Sequence, residues 1–261
     1  MEINNYDHIA DLYDVYVPAT FDIPFFINET KKSPGEVLEL MSGTGRVSIP
    51  LLKAGVKLSC VDISAELNAV FDNKLNLLGL QADIYQMDVC ELDLPKQFDM
   101  IIIPFHSFAH IVSPRDQRTA LKHIHQHLLP GGTFILTLGN PAPRQAGIDG
   151  QMRLFRKYPL ENGRGSLLLW IKEDINPDDR QIVEAMQFYE EYDARGVLRS
   201  KRLMELHFRL SRKDEIEEMA AAAGFKVKAL YGDYSYAEFN EESSPFMIWL
   251  FEPAPVSMQE R

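Results

Sequence analysis

Residues 37–46, Val-Leu-Glu-Leu-Met-Ser-Gly-Thr-Gly-Arg, combine residue types that suit ligand binding by backbone groups. The apolar pair Val37-Leu38 predicts the end of a buried strand, and Gly43-Thr44-Gly45 predicts a tight turn before a helix over residues 46–52. A strand, a glycine turn and a helix N-terminus direct free N–H groups and the positive end of the helix dipole at a ligand. Glycine suits such a turn because it has no Cβ and adopts positive φ at little cost.

Three acidic positions narrow the kind of ligand. Glu39 comes just before the turn, where a carboxylate repels pyrophosphate and attracts an ammonium group or ribose hydroxyls. Asp62 follows a short apolar strand, close to the spacing at which an α/β nucleotide-binding fold holds ribose hydroxyls. Asp88 follows a third strand and is expected to accept from an adenine amino group, with Val89 against the ring. Together these residues predict a nucleoside with a cationic tail, as in S-adenosylmethionine.

Alternating strand and helix patterns must position these residues. After the first strand, four further strands are predicted before residue 140, at 57–61, 81–86, 98–103 and 133–138. Helices between them predict a parallel sheet with right-handed crossovers. Ser113-Pro114-Arg115-Asp116 marks one helix start, because it combines an N-cap, a proline at the first helical position and an acidic residue at N3.

From Asn140 onward the periodicity changes to that of strands. A loop is predicted first, from Pro141, Pro143, Gly147 and Gly150. Three strands follow, at 167–175, 182–192 and 197–210, and a helix then ends at Gly224. Two last strands, at 225–231 and 246–251, are expected to complete the core sheet.

With these segments the chain resembles the class I S-adenosylmethionine-dependent methyltransferases, in particular their small-molecule branch. The resemblance rests on Glu39–Gly45, Asp62, Met87-Asp88, Phe98-Asp99 and Leu129–Gly132, and on Tyr6–Asp14, which looks like the N-terminal helix that such enzymes fold over the cofactor. It implies S-adenosyl-L-methionine as cofactor and methyl transfer to an oxygen or nitrogen of a small metabolite by in-line displacement. Met41 departs from the family, which has glycine there; its side chain is expected to fit if φ stays negative.

The predicted fold class is α/β: a Rossmann-like, doubly wound, mostly parallel seven-stranded sheet with an antiparallel β lid inserted after the fifth strand. We divide the chain into an N-terminal helical cap (1–35), a cofactor-binding core (36–140), the antiparallel β lid (141–210) and a C-terminal segment that completes the core sheet (211–261). The insert is interpreted as a lid over the mouth of the core or as a homodimer interface. The two interpretations are compatible with each other.

The resemblance implies a set of cofactor-binding residues: Tyr13, Glu39, Met41, Gly43, Gly45, Arg46, Asp62, Ile63, Asp88, Val89 and Pro104. Tyr13 is expected to present its hydroxyl to the methionyl end or its ring to the sulfonium. The alternative is that it is simply an aromatic residue on an amphipathic helix, without a role toward the cofactor. Arg46 is expected either to pair with the methionyl carboxylate or to be solvated.

Acid–base chemistry and acceptor binding need further side chains. His110, followed by His106, is the candidate general base for a hydroxyl acceptor, and the alternative is that both merely bond to backbone or cap a helix. His123 and His127 have a spacing that can bind zinc, but no further ligand is placed to complete a site, so no metal is predicted. Residues on the lid and the last loop are expected to bind the acceptor: Trp170, Tyr189, Arg202, Tyr234 and Tyr236.

Composition limits the partners and the compartment. The chain has 27 basic and 38 acidic residues, a formal net charge of −11 and no basic block, so no nucleic-acid partner is expected. Cys60 and Cys90 are predicted to be free thiols. The absence of a signal-peptide pattern and of an apolar run of about 18 residues predicts a cytoplasmic protein without a membrane contact.

Two other functions stay open at this point. A nicotinamide-dependent oxidoreductase would need Gly-x-Gly-x-x-Gly after the first strand, but Ser48 occupies the last glycine position and Glu39 would repel the diphosphate. A non-catalytic protein that binds S-adenosylmethionine, or no longer binds it, is favoured only by Met41.

Overall fold

The computed structural model describes residues 4–33 and 35–255. Within them the strands are β1 (Val37–Leu40), β2 (Leu58–Asp62), β3 (Asp83–Gln86), β4 (Phe98–Ile103), β5 (Leu128–Gly139), β6 (Arg153–Leu160), β7 (Gly165–Ile175), β8 (Ile182–Asp193), β9 (Leu198–Arg209), β10 (Phe225–Tyr231) and β11 (Phe246–Pro253). The α-helices are α1 (Tyr13–Tyr16), α2 (Ile23–Thr30), α3 (Ser48–Lys53), α4 (Ala65–Leu78), α5 (Pro114–Gln126), α6 (Pro141–Ala146) and α7 (Lys213–Ala222). Short 3₁₀ helices occur at Asp7–Leu12, Val89–Glu91, Ser107–His110 and Glu161–Gly163.

The core sheet has seven strands in the order β10-β11-β5-β4-β1-β2-β3. Strand β1 pairs in parallel with β2 and β4, and β4 with β5, whereas β11 runs antiparallel to both β5 and β10. The predicted Rossmann-like, mostly parallel seven-stranded sheet is therefore confirmed. Strand order reverses between β1 and β4, so the carboxyl ends of these strands form the crevice where such sheets bind ligands.

Both faces of the sheet are buried, as expected for parallel strands covered by helices. On one face Leu38, Ile101 and Phe134 belong to a cluster that includes residues of α5 and α7. On the other face Val37 and Ile102 pack in a cluster that includes residues of α2, α3 and α4. This packing fixes the strand ends, and with them the loops that carry the predicted site residues.

The insert is a second, antiparallel sheet in the order β6-β7-β8-β9. Three of its strands agree with the predicted ones to within a few residues, but β6 was not predicted. Its sequence, Arg-Leu-Phe-Arg-Lys-Tyr-Pro-Leu, is largely exposed and contains Pro159, which an edge strand tolerates because one side of its backbone is unpaired. The predicted loop after Asn140 also contains α6, with Pro141 at its first position.

The proposed division into four units stays a prediction, and its residues 1–3, 34 and 256–261 lie outside the described residues. In the part of the chain that is described, no helix combines the length and the apolar composition needed to span a membrane.

Candidate cofactor and acceptor site

A cavity of about 1120 Å³ lies at the carboxyl ends of the core strands. Its walls come from the loops after β1, β2, β3 and β4, from the inner face of the second sheet and from residues 4–17, which we call the roof segment. Nine predicted site residues line it: Tyr13, Met41, Gly43, Asp62, Ile63, Asp88, Val89, His106 and His110. The structure therefore brings together residues from five separate parts of the sequence.

Asp62 joins the glycine turn to the loop after β2. Its Oδ2 accepts the Gly43 N–H at 2.7 Å, and its Oδ1 accepts the Ser64 N–H at 2.9 Å. Burial raises the pKa of Asp62, and the backbone N–H groups that donate to it act in the opposite direction. Each carboxylate oxygen has a further lone pair, so this side chain can still accept from a ligand hydroxyl at the cavity wall.

Met41 adopts the left-handed conformation, with a φ of 57°. The condition under which a side chain was expected to fit at this position, a negative φ, is therefore not met. The turn needs the left-handed backbone conformation that glycine adopts easily, and here a residue with a side chain, Met41, adopts it. Left-handed φ costs a residue with a Cβ about 1–2 kcal/mol.

The strain at Met41 can be measured with two substitutions. Met41→Gly and Met41→Ala both remove the side chain beyond Cβ, but only alanine retains the cost of a left-handed Cβ. We expect Met41→Gly to be more stable than Met41→Ala by about 1 kcal/mol in urea unfolding. Equal stability of the two variants would contradict strain at this position.

Glu39 is not among the residues that line the cavity, contrary to its predicted role. It is 1% exposed, and its Oε2 accepts from the Ser48 hydroxyl at 2.6 Å. Burial raises the pKa of Glu39 to about 8, so the carboxyl is mostly neutral at pH 7. In this structure Glu39 therefore does not present a charge at the cavity wall, and its role toward a ligand stays a prediction.

Arg46 does not line the cavity either. Its side chain is 11% exposed, so it is not solvated as one alternative had it, and its pairing with a methionyl carboxylate stays a prediction. Its guanidinium donates to both carboxylate oxygens of Asp22, at 2.7 and 2.6 Å, and to the Ala19 carbonyl oxygen. It also lies over the ring of Phe105, 4.2 Å from the centroid. Arg46 thus ties the chain before α2 to the loop after β4. Gly45 and Pro104 are likewise absent from the wall.

The two candidate bases differ in their contacts. His106 follows Phe105, and both have positive φ, of 64° and 55°. The Nδ1 of His106 is buried and has no hydrogen-bond partner among the described residues. In contrast, Nδ1 of His110 lies 2.8 Å from Asn4 Nδ2, and Nε2 lies 3.2 Å from the Tyr6 hydroxyl. Burial lowers the pKa of each histidine to about 4. Of the two, His106 therefore has the nitrogen without a partner among the described residues, although the sequence analysis placed His110 first; the catalytic roles stay predictions.

None of the five predicted acceptor-binding residues lines the cavity. Trp170 donates to Glu190, Tyr189 donates to Gln187, and Arg202 pairs with Asp11 and Glu191. The Tyr234 hydroxyl is buried without a partner among the described residues, and Tyr236 donates to Glu29. The lid residues at the wall are instead Pro143, Arg144, Phe155, Ile171, Glu173, Gln187, Leu206, Phe208, Arg209 and Leu210.

The alternation of side chains along a strand explains why one of these residues, Trp170, is not at the wall. Alternate residues of a strand face opposite sides, so Ile171 and Glu173 at the wall place Trp170 on the other face of β7. The sequence shows this alternation but not which face turns inward. Tyr6 and Asn4 also line the cavity and were not predicted as site residues, although Tyr6 belongs to the segment 6–14 that was expected over the cofactor.

The roof segment contacts both the glycine turn and the second sheet. The Ser64 hydroxyl donates to Asp7 at 2.5 Å, and the Thr44 hydroxyl donates to Asp14 at 2.6 Å. Asp11 accepts from Arg202 of β9 at 2.6 Å. The segment is therefore held across the cavity by partners on both sides.

Comparisons with known proteins agree with this architecture. Residues 37–132 match a protein family described as a methyltransferase domain. A glycine/sarcosine N-methyltransferase of Halorhodospira halochloris is 33% identical over 140 residues, 51% of each protein, so the chain spans about half the length of this curated relative.

Two solved structures share the fold over nearly their whole length. An S-adenosylmethionine-dependent methyltransferase from Clostridium acetobutylicum has a TM-score of 0.80 at 18% identity, covering 95% of this chain and 99% of that one. The CcbJ methyltransferase from Streptomyces caelestis has a TM-score of 0.80 at 22% identity, covering 97% and 100%. Residues 37–132 thus match the methyltransferase-domain family, and the chain shares the fold of these two methyltransferases, in agreement with the resemblance inferred from the sequence.

Proposed function

We propose that the protein is an S-adenosylmethionine-dependent methyltransferase that acts on an oxygen or nitrogen of a small metabolite. The observation that carries the proposal is the Asp62 carboxylate, which holds the Gly43 N–H at the cavity wall and keeps lone pairs for ribose hydroxyls. Gly43 has a positive φ of 55°, and the space that its Cβ would occupy is open. A ligand can therefore approach the backbone of the turn closely.

The residues around the cavity fit this cofactor. Asp62 and Ile63 would hold the ribose, Asp88 and Val89 the adenine, and Tyr13 the methionyl end. The sulfonium of the cofactor supplies an electrophilic methyl group. The protein supplies alignment and the exclusion of water, and alignment of two reactants contributes about 7–11 kcal/mol in favourable cases. The roof segment serves the exclusion of water because it closes one side of the cavity.

His106 is the residue that we propose as proton acceptor when the acceptor group is a hydroxyl. Its Nδ1 is buried and has no partner in the described part of the chain, and its ring stacks on Phe246 with centroids 5.3 Å apart. Its lowered pKa keeps the imidazole neutral at pH 7, so a ring nitrogen lone pair is available. A neutral amine acceptor would need no such base.

Substitution of His106 tests this role. For a hydroxyl acceptor, His106→Gln is expected to lower kcat about 10²-fold or more while cofactor affinity changes little. His110→Gln is the matched comparison and is expected to lower kcat less, because both nitrogens of His110 already have partners. A larger effect of His110→Gln would contradict the assignment.

Calorimetric titration tests the proposed function itself. We expect S-adenosylmethionine and S-adenosylhomocysteine to bind and NAD not to bind. Asp62→Ala should weaken binding of both by about 1.5–3 kcal/mol, the range for a hydrogen bond to a charged group. Asp72→Ala, on the exposed side of α4, is the control and should leave the affinity unchanged. Failure of both adenosyl compounds to bind would reject the proposal.

The class of acceptor is proposed from the chemistry of methyl transfer and from similarity to a known relative. The relative from Halorhodospira halochloris is named for glycine and sarcosine, which favours nitrogen acceptors as the first compounds to assay.

Binding of the cofactor without turnover on any acceptor would support the alternative of a non-catalytic binding protein. The lid-mediated homodimer, the cytoplasmic location and the lack of a nucleic-acid partner stay predictions.

A further inference from the structure

The side-chain amide of Asn4 links the roof segment to β9 through the backbone of His207. The His207 N–H donates to Asn4 Oδ1 at 2.8 Å, and Asn4 Nδ2 donates to the His207 carbonyl oxygen at 2.7 Å. A backbone N–H can only donate and a carbonyl oxygen can only accept, so these two bonds leave one orientation for the amide. The second N–H of Asn4 Nδ2 is then available to Nδ1 of His110, 2.8 Å away.

This geometry determines where His110 carries its proton. An amide nitrogen donates and does not accept, so Nδ1 of His110 must be the acceptor. A neutral imidazole has one N–H, which must therefore be on Nε2. Burial lowers the pKa of His110 to about 4, while the backbone of His207 acts in the opposite direction, so the ring is neutral at pH 7.

The proton on Nε2 in turn orients a third group. Nε2 of His110 lies 3.2 Å from the Tyr6 hydroxyl oxygen, which must accept this bond. No other hydrogen-bond partner of that hydroxyl exists among residues 4–33 and 35–255. The Tyr6 hydroxyl keeps its own proton, and Tyr6 lines the cavity.

We propose that Asn4 is a positioning residue that holds His110 as the Nε2–H tautomer and thereby makes Tyr6 a hydrogen-bond donor toward the cavity. The wall near His110 then offers a donor to a lone pair of a bound ligand and does not offer a base. That last step rests on the proposed function, whereas the tautomer and its cause do not depend on any ligand.

Nuclear magnetic resonance of the full chain, labelled with ¹⁵N-histidine and without ligand, tests the proposal. Long-range ¹H–¹⁵N correlations distinguish the two tautomers, and His110→Gln identifies the His110 signals among the seven histidines. The wild-type protein is expected to show a protonated Nε2 and an unprotonated Nδ1. Asn4→Asp replaces the donor by a carboxylate oxygen, so the proton is expected to move to Nδ1.

Two further variants separate Asn4 from its neighbours. Tyr6→Phe is expected to keep the Nε2–H tautomer, because Asn4 still donates to Nδ1, and to shift only the Nε2 proton resonance. Asn5→Asp makes the same change at the adjacent exposed residue and should leave His110 unchanged. An Nδ1–H tautomer in the wild-type protein would overturn the proposal, whether or not Asn4→Asp keeps the roof segment folded. A tautomer that reverses in Tyr6→Phe would also overturn it, since Tyr6 would then determine the proton position.

Discussion

Asp22→Ala is expected to lower the free energy of unfolding by about 3–5 kcal/mol, the usual cost of removing one partner from a buried ion pair. The Asp22 side chain is fully buried and that of Arg46 is 11% exposed, and two hydrogen bonds join them. Without Asp22 the guanidinium would remain largely buried with only the Ala19 carbonyl oxygen and the Phe105 ring as partners. Urea unfolding measures the loss, with an unchanged m-value as the sign of an unchanged native state.

Two comparisons make this prediction specific. Asp149 and Arg153 form the same kind of two-bond pair at the surface, so Asp149→Ala should leave the stability nearly unchanged. The double variant Asp22→Ala/Arg46→Met removes both charges and should recover much of the loss, because no buried charge is left unpaired. A double variant that is less stable than Asp22→Ala would contradict desolvation as the cause.

Gly45→Ala is expected to lower the free energy of unfolding by about 2–5 kcal/mol. A Cβ at this position would lie 2.2 Å from two ring carbons of Phe71, which is fully buried and cannot move away cheaply. Overpacking of this kind costs about 1–3 kcal/mol. The φ of 78° adds about 1–2 kcal/mol for a left-handed residue with a Cβ.

Gly43→Ala provides the matched control for Gly45→Ala. Gly43 also has positive φ, but nothing lies within 4 Å of the position of its Cβ. Its substitution should therefore cost only the left-handed conformation, about 1–2 kcal/mol. Because Gly43 lines the cavity, its new methyl group should also weaken cofactor binding. Equal losses of stability in the two variants would exclude the contact with Phe71 as the cause.

The strand, turn and helix around residues 37–53 were predictable because their signals are local. Apolar runs, glycine spacing and an acidic residue after the second strand placed Gly43 and Asp62 correctly at the cavity wall. Glu39 and Arg46 are near the same turn, but their side chains found partners elsewhere in the molecule, in Ser48 and Asp22. Such choices depend on burial and on distant residues, which spacing along the chain does not reveal.

The second sheet shows a feature that periodicity along the chain does not reveal, namely which face of a strand turns toward the cavity. Three of its four strands were recognisable from their periodicity, but the inward face was not, so Trp170 was assigned to the cavity when its neighbour Ile171 lies there. The network of Asn4, His110 and His207 joins residues about 100 and 200 positions apart. No local pattern marks it, and it became visible only when the fold brought the three residues together.

The attachments of the roof segment bear on how fast a ligand can enter and leave. Asp11 with Arg202 and Asp14 with Lys74 are partly exposed ion pairs, and such pairs contribute little to stability and are screened by salt. Higher ionic strength therefore weakens these two attachments, whereas Ile9 and Leu12 of the same segment are buried against the second sheet and do not depend on salt in this way. For a ligand that leaves when this segment detaches, higher ionic strength is expected to shorten the residence time in the cavity while the sheet below stays intact.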